Sequence, residues 1–256
     1  MAIGFIGCGT ITAAIVSGLG AADHNEKIII SPRNAANAAR LASRFANVEI
    51  GRSNQCVVDA ADLVVLAVRP KVMEDVLAEL RFRPENRLLS LVAGTSLARL
   101  KQLAEPCQHI VRAVPIPPVA LCAGPTAIYP HDEAIVHLFD RLGTSIVLDD
   151  EDQFDLFTVS TATMSAHFAF TGVVTSWMER RGVAADKARH FMNMMMRGLA
   201  DAASAASGAS FSELADEYQT RGGLNEQVRT HLEENGHYAA FADALDAIET
   251  RLERAR

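Results

Sequence analysis

The chain has 256 residues, enough for two modest domains that each bury a core. Apolar residues make up 49% and charged residues 21%, the ordinary balance of a globular protein. Lys and Arg total 24 against 31 Asp and Glu, a formal charge of −7 with no basic block or basic helix to offset it, which argues against nucleic acid and anionic membrane as partners. The 4 cysteines, Cys8, Cys56, Cys107 and Cys122, form no C-x-x-C pair and have no His at metal-ligand spacing. They read as reduced, buried thiols in a reducing compartment, and no metal is expected. The opening Met1-Ala2-Ile3-Gly4-Phe5-Ile6 lacks a basic leader. No apolar run approaches the ~18–20 residues that span a bilayer, so the expected location is cytoplasmic.

Short apolar runs alternate with helical patterns over the first 150 residues. The candidate strands are Ala2–Ile6, Lys27–Ser31, Val48–Ile50, Leu63–Val68, Leu88–Val92, Ile110–Val114, Thr126–Tyr129 and Ser145–Val147. Between them, Ile11–Gly20, Ala35–Phe45, Val72–Leu80 and Leu97–Leu103 read as helices. This alternation predicts an α/β domain over 1–150, a Rossmann-type doubly wound sheet with both faces covered. After the acidic stretch Asp149–Asp152 the strand character fades. Phe154–Arg181, Ala184–Ser204, Asn225–Glu234 and Tyr238–Arg254 read as helices, so 151–256 is expected to be an all-helical domain. Met178, Met192, Met194, Met195 and Met196 crowd there beside Phe168, Phe170, Trp177 and Phe191. Helices so apolar need cover on most sides, which a small domain does not supply, and a helical dimer interface is the natural answer.

Gly7-Cys8-Gly9-Thr10-Ile11-Thr12 follows the first strand and opens a helix. Gly7 permits a tight turn and Gly9 a close approach of backbone to a pyrophosphate. The helix N-terminus at Thr10 and Ile11 then offers free N–H groups. Thr12 stands where a third glycine is usual, and Ala13-Ala14 still allow close packing. The second strand runs into Ser31-Pro32-Arg33-Asn34, where a dinucleotide site selective for a free 2′-hydroxyl would carry Asp or Glu. Ser31, Arg33 and Asn34 suit a 2′-phosphate, Arg33 with a planar donor fork, so the expected cofactor is NADP(H). Ala67-Val68-Arg69-Pro70 and Ala93-Gly94-Thr95 end the fourth and fifth strands, where backbone can line a nicotinamide pocket. His167, on an apolar helix, is expected to be a packed core histidine; the alternative is a proton donor.

Taken together these residues resemble the pyrroline-5-carboxylate reductase family. The resemblance runs along the chain through Gly4-Phe5-Ile6-Gly7-Cys8-Gly9, Ser31–Asn34, Ala67-Val68-Arg69-Pro70 and Val111-Arg112-Ala113-Val114-Pro115. It is fainter at Gly222-Gly223 and Leu232-Glu233-Glu234-Asn235-Gly236. It implies an NADPH-dependent reduction of a cyclic imine bearing a carboxylate, the last step of proline synthesis. It also implies a helical domain that interlocks with a second subunit, as a homodimer or a higher assembly, and it places Asn54 against the adenosine ribose. The family's Ser-Pro-Gly-Gly-Thr-Thr loop holds the substrate. Here that loop reads Thr220-Arg221-Gly222-Gly223-Leu224-Asn225. By that resemblance Thr163, Gly222, Gly223 and Asn225 would bind substrate, with Asn225 and Thr220 nearest the chemistry. The chain departs from the family at Leu224, at Asn225, at Val114-Pro115-Ile116-Pro117-Pro118 and at Thr161-Ala162-Thr163-Met164-Ser165-Ala166. The cofactor half keeps the family's pattern and the substrate half does not. Two alternatives therefore stay open: a different imine or carbonyl substrate, or a catalytically silent NADP-binding protein.

Overall fold

The computed structural model describes residues 1–254. They form two compact units, one of Met1–Thr161 together with the stretch from Ile248 onward, the other Ala162–Ala247. In the first unit eight strands make one sheet: β1 (Ile3–Ile6), β2 (Ile28–Ile30), β3 (Val48–Ile50), β4 (Leu63–Leu66), β5 (Arg87–Ser90), β6 (His109–Pro115), β7 (Pro125–Tyr129) and β8 (Thr144–Val147), in the order β3-β2-β1-β4-β5-β6-β7-β8. β1 to β6 pair in parallel, β7 runs antiparallel to β6, and β8 is parallel to β7. Ile3 lies opposite both Ile28 and Leu63, and Phe5 opposite Ile30 and Val65. The strands sit where the apolar runs place them, and the fold class is as expected.

Helices α1 (Thr10–Ala21), α2 (Ala35–Arg44), α3 (Asn54–Ala60), α4 (Pro70–Ala78), α5 (Leu97–Leu103) and α6 (Glu133–Asp140) link the strands. Side chains of one strand alternate between faces. Phe5 and Leu89 join a core with Ile15, Leu19, Leu41 and Phe139. Ile6 and Leu88 join another with Val57, Leu66, Leu77 and Leu100. Cover on both faces is why these strands read as unbroken apolar runs. Cys8 and Cys107 are buried as expected, but Cys56 is exposed, because Val57 and Val58 take the inner face of α3.

α7 (Glu151–Ser160) belongs to the first unit, which runs past the acidic stretch to Thr161. The cause is Arg112 of β6, 1% exposed. Its Nη1 donates to Glu151 at 2.6 Å and its Nη2 to Asp155 at 2.8 Å, and its guanidinium lies 4.4 Å from the ring centroid of Phe154. Glu151 also accepts the Leu97 N–H at 2.6 Å, so one carboxylate ties α7 to both β6 and α5.

The remaining helices are α8 (Thr163–Glu179), α9 (Ala185–Ala205), α10 (Phe211–Glu217), α11 (Leu224–Glu234) and α12 (His237–Glu253). Two expectations need correction. The helix read as Phe154–Arg181 is broken at 161–162, where the Ser160 and Thr161 hydroxyls donate to the Phe157 and Thr158 carbonyls, both at 2.7 Å. Such back-bonds compete with the helical ladder. α10 was not expected, although Ser210 and Glu213 start it with a reciprocal capping box.

Among the described residues of the second unit only Ala188 and Met192 are buried apolar side chains, while Phe168 is 73% exposed and Trp177 49%. His167 is exposed too, edge-on to Phe168 at 5.5 Å, so the packed core histidine is not found. The helices around it do not close over α8 within one chain. No helix among the described residues is long and apolar enough to cross a membrane.

Candidate active site

The parallel strands put the loops after β1, β2, β3, β4 and β5 on one edge of the sheet. Strand order reverses at β1, which has β2 on one side and β4 on the other. Ligands of such sheets bind at the carboxyl ends of the strands beside this reversal. The glycine loop leaves β1 at that point. Gly7 has φ +101°, and a Cβ there would stand 2.3 Å from the Ala67 carbonyl oxygen, so only glycine fits. A Cβ at Gly9 would meet no protein atom within 4 Å. Gly9 is the N-cap of α1, which has no side-chain cap and no acid in its first turn. Its first N–H groups therefore face a gap with a positive dipole end behind them, a fit for pyrophosphate.

The loop is held from behind. Thr12 is fully buried and its hydroxyl donates to the Gly7 carbonyl at 2.8 Å. The Ser31 hydroxyl accepts the Gly7 N–H at 2.9 Å. The side-chain amides of Asn34 and Asn37 both donate to the Cys8 carbonyl at 3.1 Å. Ser31 is fully buried and braces the loop from behind. Asn34 spends its amide on Cys8 and also caps α2. Arg33 stands exposed beside them. Burial pushes the Cys8 thiol above its ordinary pKa, and the charge of Arg40 pulls it partly back, which places a second cation near the loop. Asn37 and Arg40 were missed by sequence reasoning; Asn37 lies three residues after Asn34, on the same face of α2, a spacing that could have found it.

The other strand ends complete this edge. Ala67 donates its N–H to the Ile6 carbonyl at 2.8 Å, fixing the end of β4 against β1. Val68 is half-buried, Arg69 is the exposed N-cap of α4, and Pro70 is its first residue. Asn54 opens α3 behind its cap Ser53 and is half-buried. Ala93 is half-buried and Gly94 buried with φ +71°, in the turn that Glu151 anchors through Leu97.

In the helical unit the loop before α11 is closed by its own groups. The Gly223 N–H donates to the Thr220 carbonyl at 2.7 Å. The Asn225 amide nitrogen donates to the Tyr218 carbonyl at 2.7 Å. The Gly222 N–H donates to the Glu226 carboxylate at 2.5 Å. Thr220, Arg221 and Leu224 are exposed, Leu224 at 81%. Thr163, the first residue of α8, lines a cavity of about 530 Å³ with Ala166, His167, Phe170, Leu232, His237, Tyr238 and Phe241. Thr163 and the Gly222 loop stand on different helices.

A glycine-loop dinucleotide fold joined to a helical unit with uncovered apolar faces defines a two-unit oxidoreductase. The comparisons narrow the class. A family described as NADP oxidoreductase coenzyme F420-dependent matches residues 2–94, and one described as pyrroline-5-carboxylate reductase dimerisation matches residues 151–255. The pyrroline-5-carboxylate reductase of Pseudomonas aeruginosa is 28% identical, over 97% of this chain and 94% of its own. That of Escherichia coli is 27% identical, over 95% and 94%. Among solved structures, 1-pyrroline-5-carboxylate reductase from Streptococcus pyogenes superposes with TM-score 0.84 at 24% identity, covering 99% of this chain and 98% of that one. Plasmodium falciparum pyrroline carboxylate reductase with NADP bound superposes at 0.87 with 17% identity, covering 100% and 98%. The chain is thus similar to pyrroline-5-carboxylate reductases along its length, and its residues 151–255 match their dimerisation family.

Proposed function

We propose that the protein reduces 1-pyrroline-5-carboxylate to proline with NADPH, as a homodimer assembled through its helical unit. The observation that carries the reading is the uncapped start of α1 behind Gly7-Cys8-Gly9, in a chain whose residues 151–255 match the reductase dimerisation family. Residues 1–150 hold the nucleotide in this reading, and 151–256 carry substrate and dimer contacts. The fit to the cofactor is physical: Gly9 leaves open space, the α1 N–H groups have no side-chain cap, and Arg33 is exposed where a 2′-phosphate would lie. Thr10, Ile11, Asn54, Ala67–Pro70 and Ala93–Gly94 line the same edge of the sheet.

When bound, NADPH supplies a hydride. The protein's part is to orient the imine, hold its carboxylate, exclude water and keep a proton on nitrogen. Imines of this kind protonate in water, so the reduction does not require a strong acid from the protein. With its amide nitrogen spent on Tyr218, Asn225 presents an oxygen that can accept the iminium N–H. Arg221 and the first N–H groups of α11 are the candidates for the carboxylate, with Thr220 and Thr163 as hydroxyl donors. The exposed apolar faces of α8 and α9 need the cover that a second copy provides. NADPH deuterated at the transferable position tests the reaction. Deuterium should appear in proline at the former imine carbon; proline without label would refute the reading.

A further inference from the structure

The contact between Glu226 and Gly222 has a cost for an anionic substrate. Glu226 is the third residue of α11, and its carboxylate takes the Gly222 N–H at 2.5 Å, where Gly222 turns with φ +73°. A negative charge in the first turn suits the helix dipole and stabilises the loop without any ligand. The other groups of the loop are committed as well: Gly223 N–H to Thr220, and the Asn225 amide to Tyr218. Gly222, Gly223, Glu226, Gln227, Thr230, His231 and Glu234 line a cavity of about 450 Å³ at this point. Arg221 is exposed in the same loop.

A substrate carboxylate arriving at the start of α11 wants the same kind of donor and meets a like charge already seated on one. We infer that Glu226 is an internal competitor for the substrate carboxylate, a specificity-determining residue that raises KM for carboxylated imines until its side chain swings off Gly222. The inference rests on the reading that the Gly222-Gly223 loop receives the substrate. It assigns Glu226 no part in the reduction. Leu224, exposed in the same turn, offers no polar group that would offset the repulsion.

The test compares the wild type with E226Q and E226A on two substrates, 1-pyrroline-5-carboxylate and 1-pyrroline, which lacks the carboxylate. Gln keeps a hydrogen-bond acceptor for the Gly222 N–H and loses the charge; Ala loses both. The selectivity, kcat/KM for the carboxylated imine over kcat/KM for the plain one, should rise at least tenfold in E226Q. The change should lie in KM, and E226A should go at least as far. Unchanged selectivity overturns the inference. So does a fall in kcat on both substrates in E226Q, which would mean that Glu226 serves the cationic imine and does not compete with its carboxylate. Binding of proline and of pyrrolidine, by calorimetry on the NADP-loaded protein, keeps the question separate from turnover. If neither imine is reduced, the proposed function fails. Tighter proline binding in E226Q, with a smaller change for pyrrolidine, would still uphold the competitor role, and equal binding would refute it.

Discussion

Gly7 and Gly9 lie two residues apart and should fail in different ways. Gly7→Ala places a Cβ 2.3 Å from the Ala67 carbonyl oxygen at a φ of +101°. Backbone strain of about 1–3 kcal/mol adds to an overpacking cost of about 1–3 kcal/mol, because β4 cannot withdraw from β1 cheaply. At about 2–4 °C per kcal/mol for a chain of this size, the melting temperature should fall by about 4–24 °C. Gly9→Ala adds a Cβ that meets no protein atom within 4 Å, at φ −88° and ψ −165°, which any residue adopts. Its stability should stay within about 1 kcal/mol, since lost unfolded-state freedom and a poorer N-cap roughly offset. Its Cβ does project into the space before the α1 N–H groups, so NADPH affinity should drop by at least tenfold, about 1.4 kcal/mol. Thermal unfolding and a fluorescence titration of NADPH read the two effects separately. A Gly9→Ala protein that binds NADPH like the wild type would refute the assignment of that gap to pyrophosphate. One that melts as low as Gly7→Ala would refute the packing argument.

Other outcomes follow from the same structure. Arg33→Asp should weaken NADPH binding at least tenfold more than NADH binding; equal losses in titration would remove Arg33 from the 2′-phosphate. Arg112→Leu takes the buried guanidinium away from Glu151 and Asp155 and should destabilise the first unit by about 3–5 kcal/mol in urea unfolding, whereas a loss under 1 kcal/mol would make the triad dispensable. His24 is held below its ordinary pKa of 6.5 by burial first and the charge of Arg141 second. The unfolded chain therefore binds the proton more readily. His24's contribution is fully present above pH 6.5 and is lost as pH falls toward the depressed native value. His24→Gln should flatten the fall in urea midpoint between pH 7.5 and 5.5, and an unchanged fall would exclude His24 as its source. Phe168→Glu, at a site 73% exposed in the single chain, should leave helix content intact and shift the protein to monomer in sedimentation if α8 is covered by a second copy. A dimer of unchanged affinity would place the interface elsewhere.

The sheet was legible because burial on both faces leaves apolar runs such as Ile28-Ile29-Ile30 and Leu63–Leu66 between glycines and charges. The glycine loop was legible because Gly7 and Gly9 sit where a strand must turn into a helix. The direction a side chain takes at a strand end was not. Ser31 continues β2 inward and spends its hydroxyl on Gly7, while Arg33, two residues on, faces water. The break at 161–162 escaped because Ser160 and Thr161 undo the ladder through hydroxyl contacts that apolar periodicity does not register. In the helical unit, the same spacing that reveals α11 says nothing of Glu226 reaching back to Gly222, since a first-turn acid reads equally as ordinary dipole complementation.

The measurement that bears most directly on the account is NADPH oxidation by the purified wild-type protein with racemic 1-pyrroline-5-carboxylate, followed by absorbance beside a control without imine. The account predicts imine-dependent NADPH consumption matched mole for mole by proline. Tight NADPH binding with no consumption above the control would contradict it.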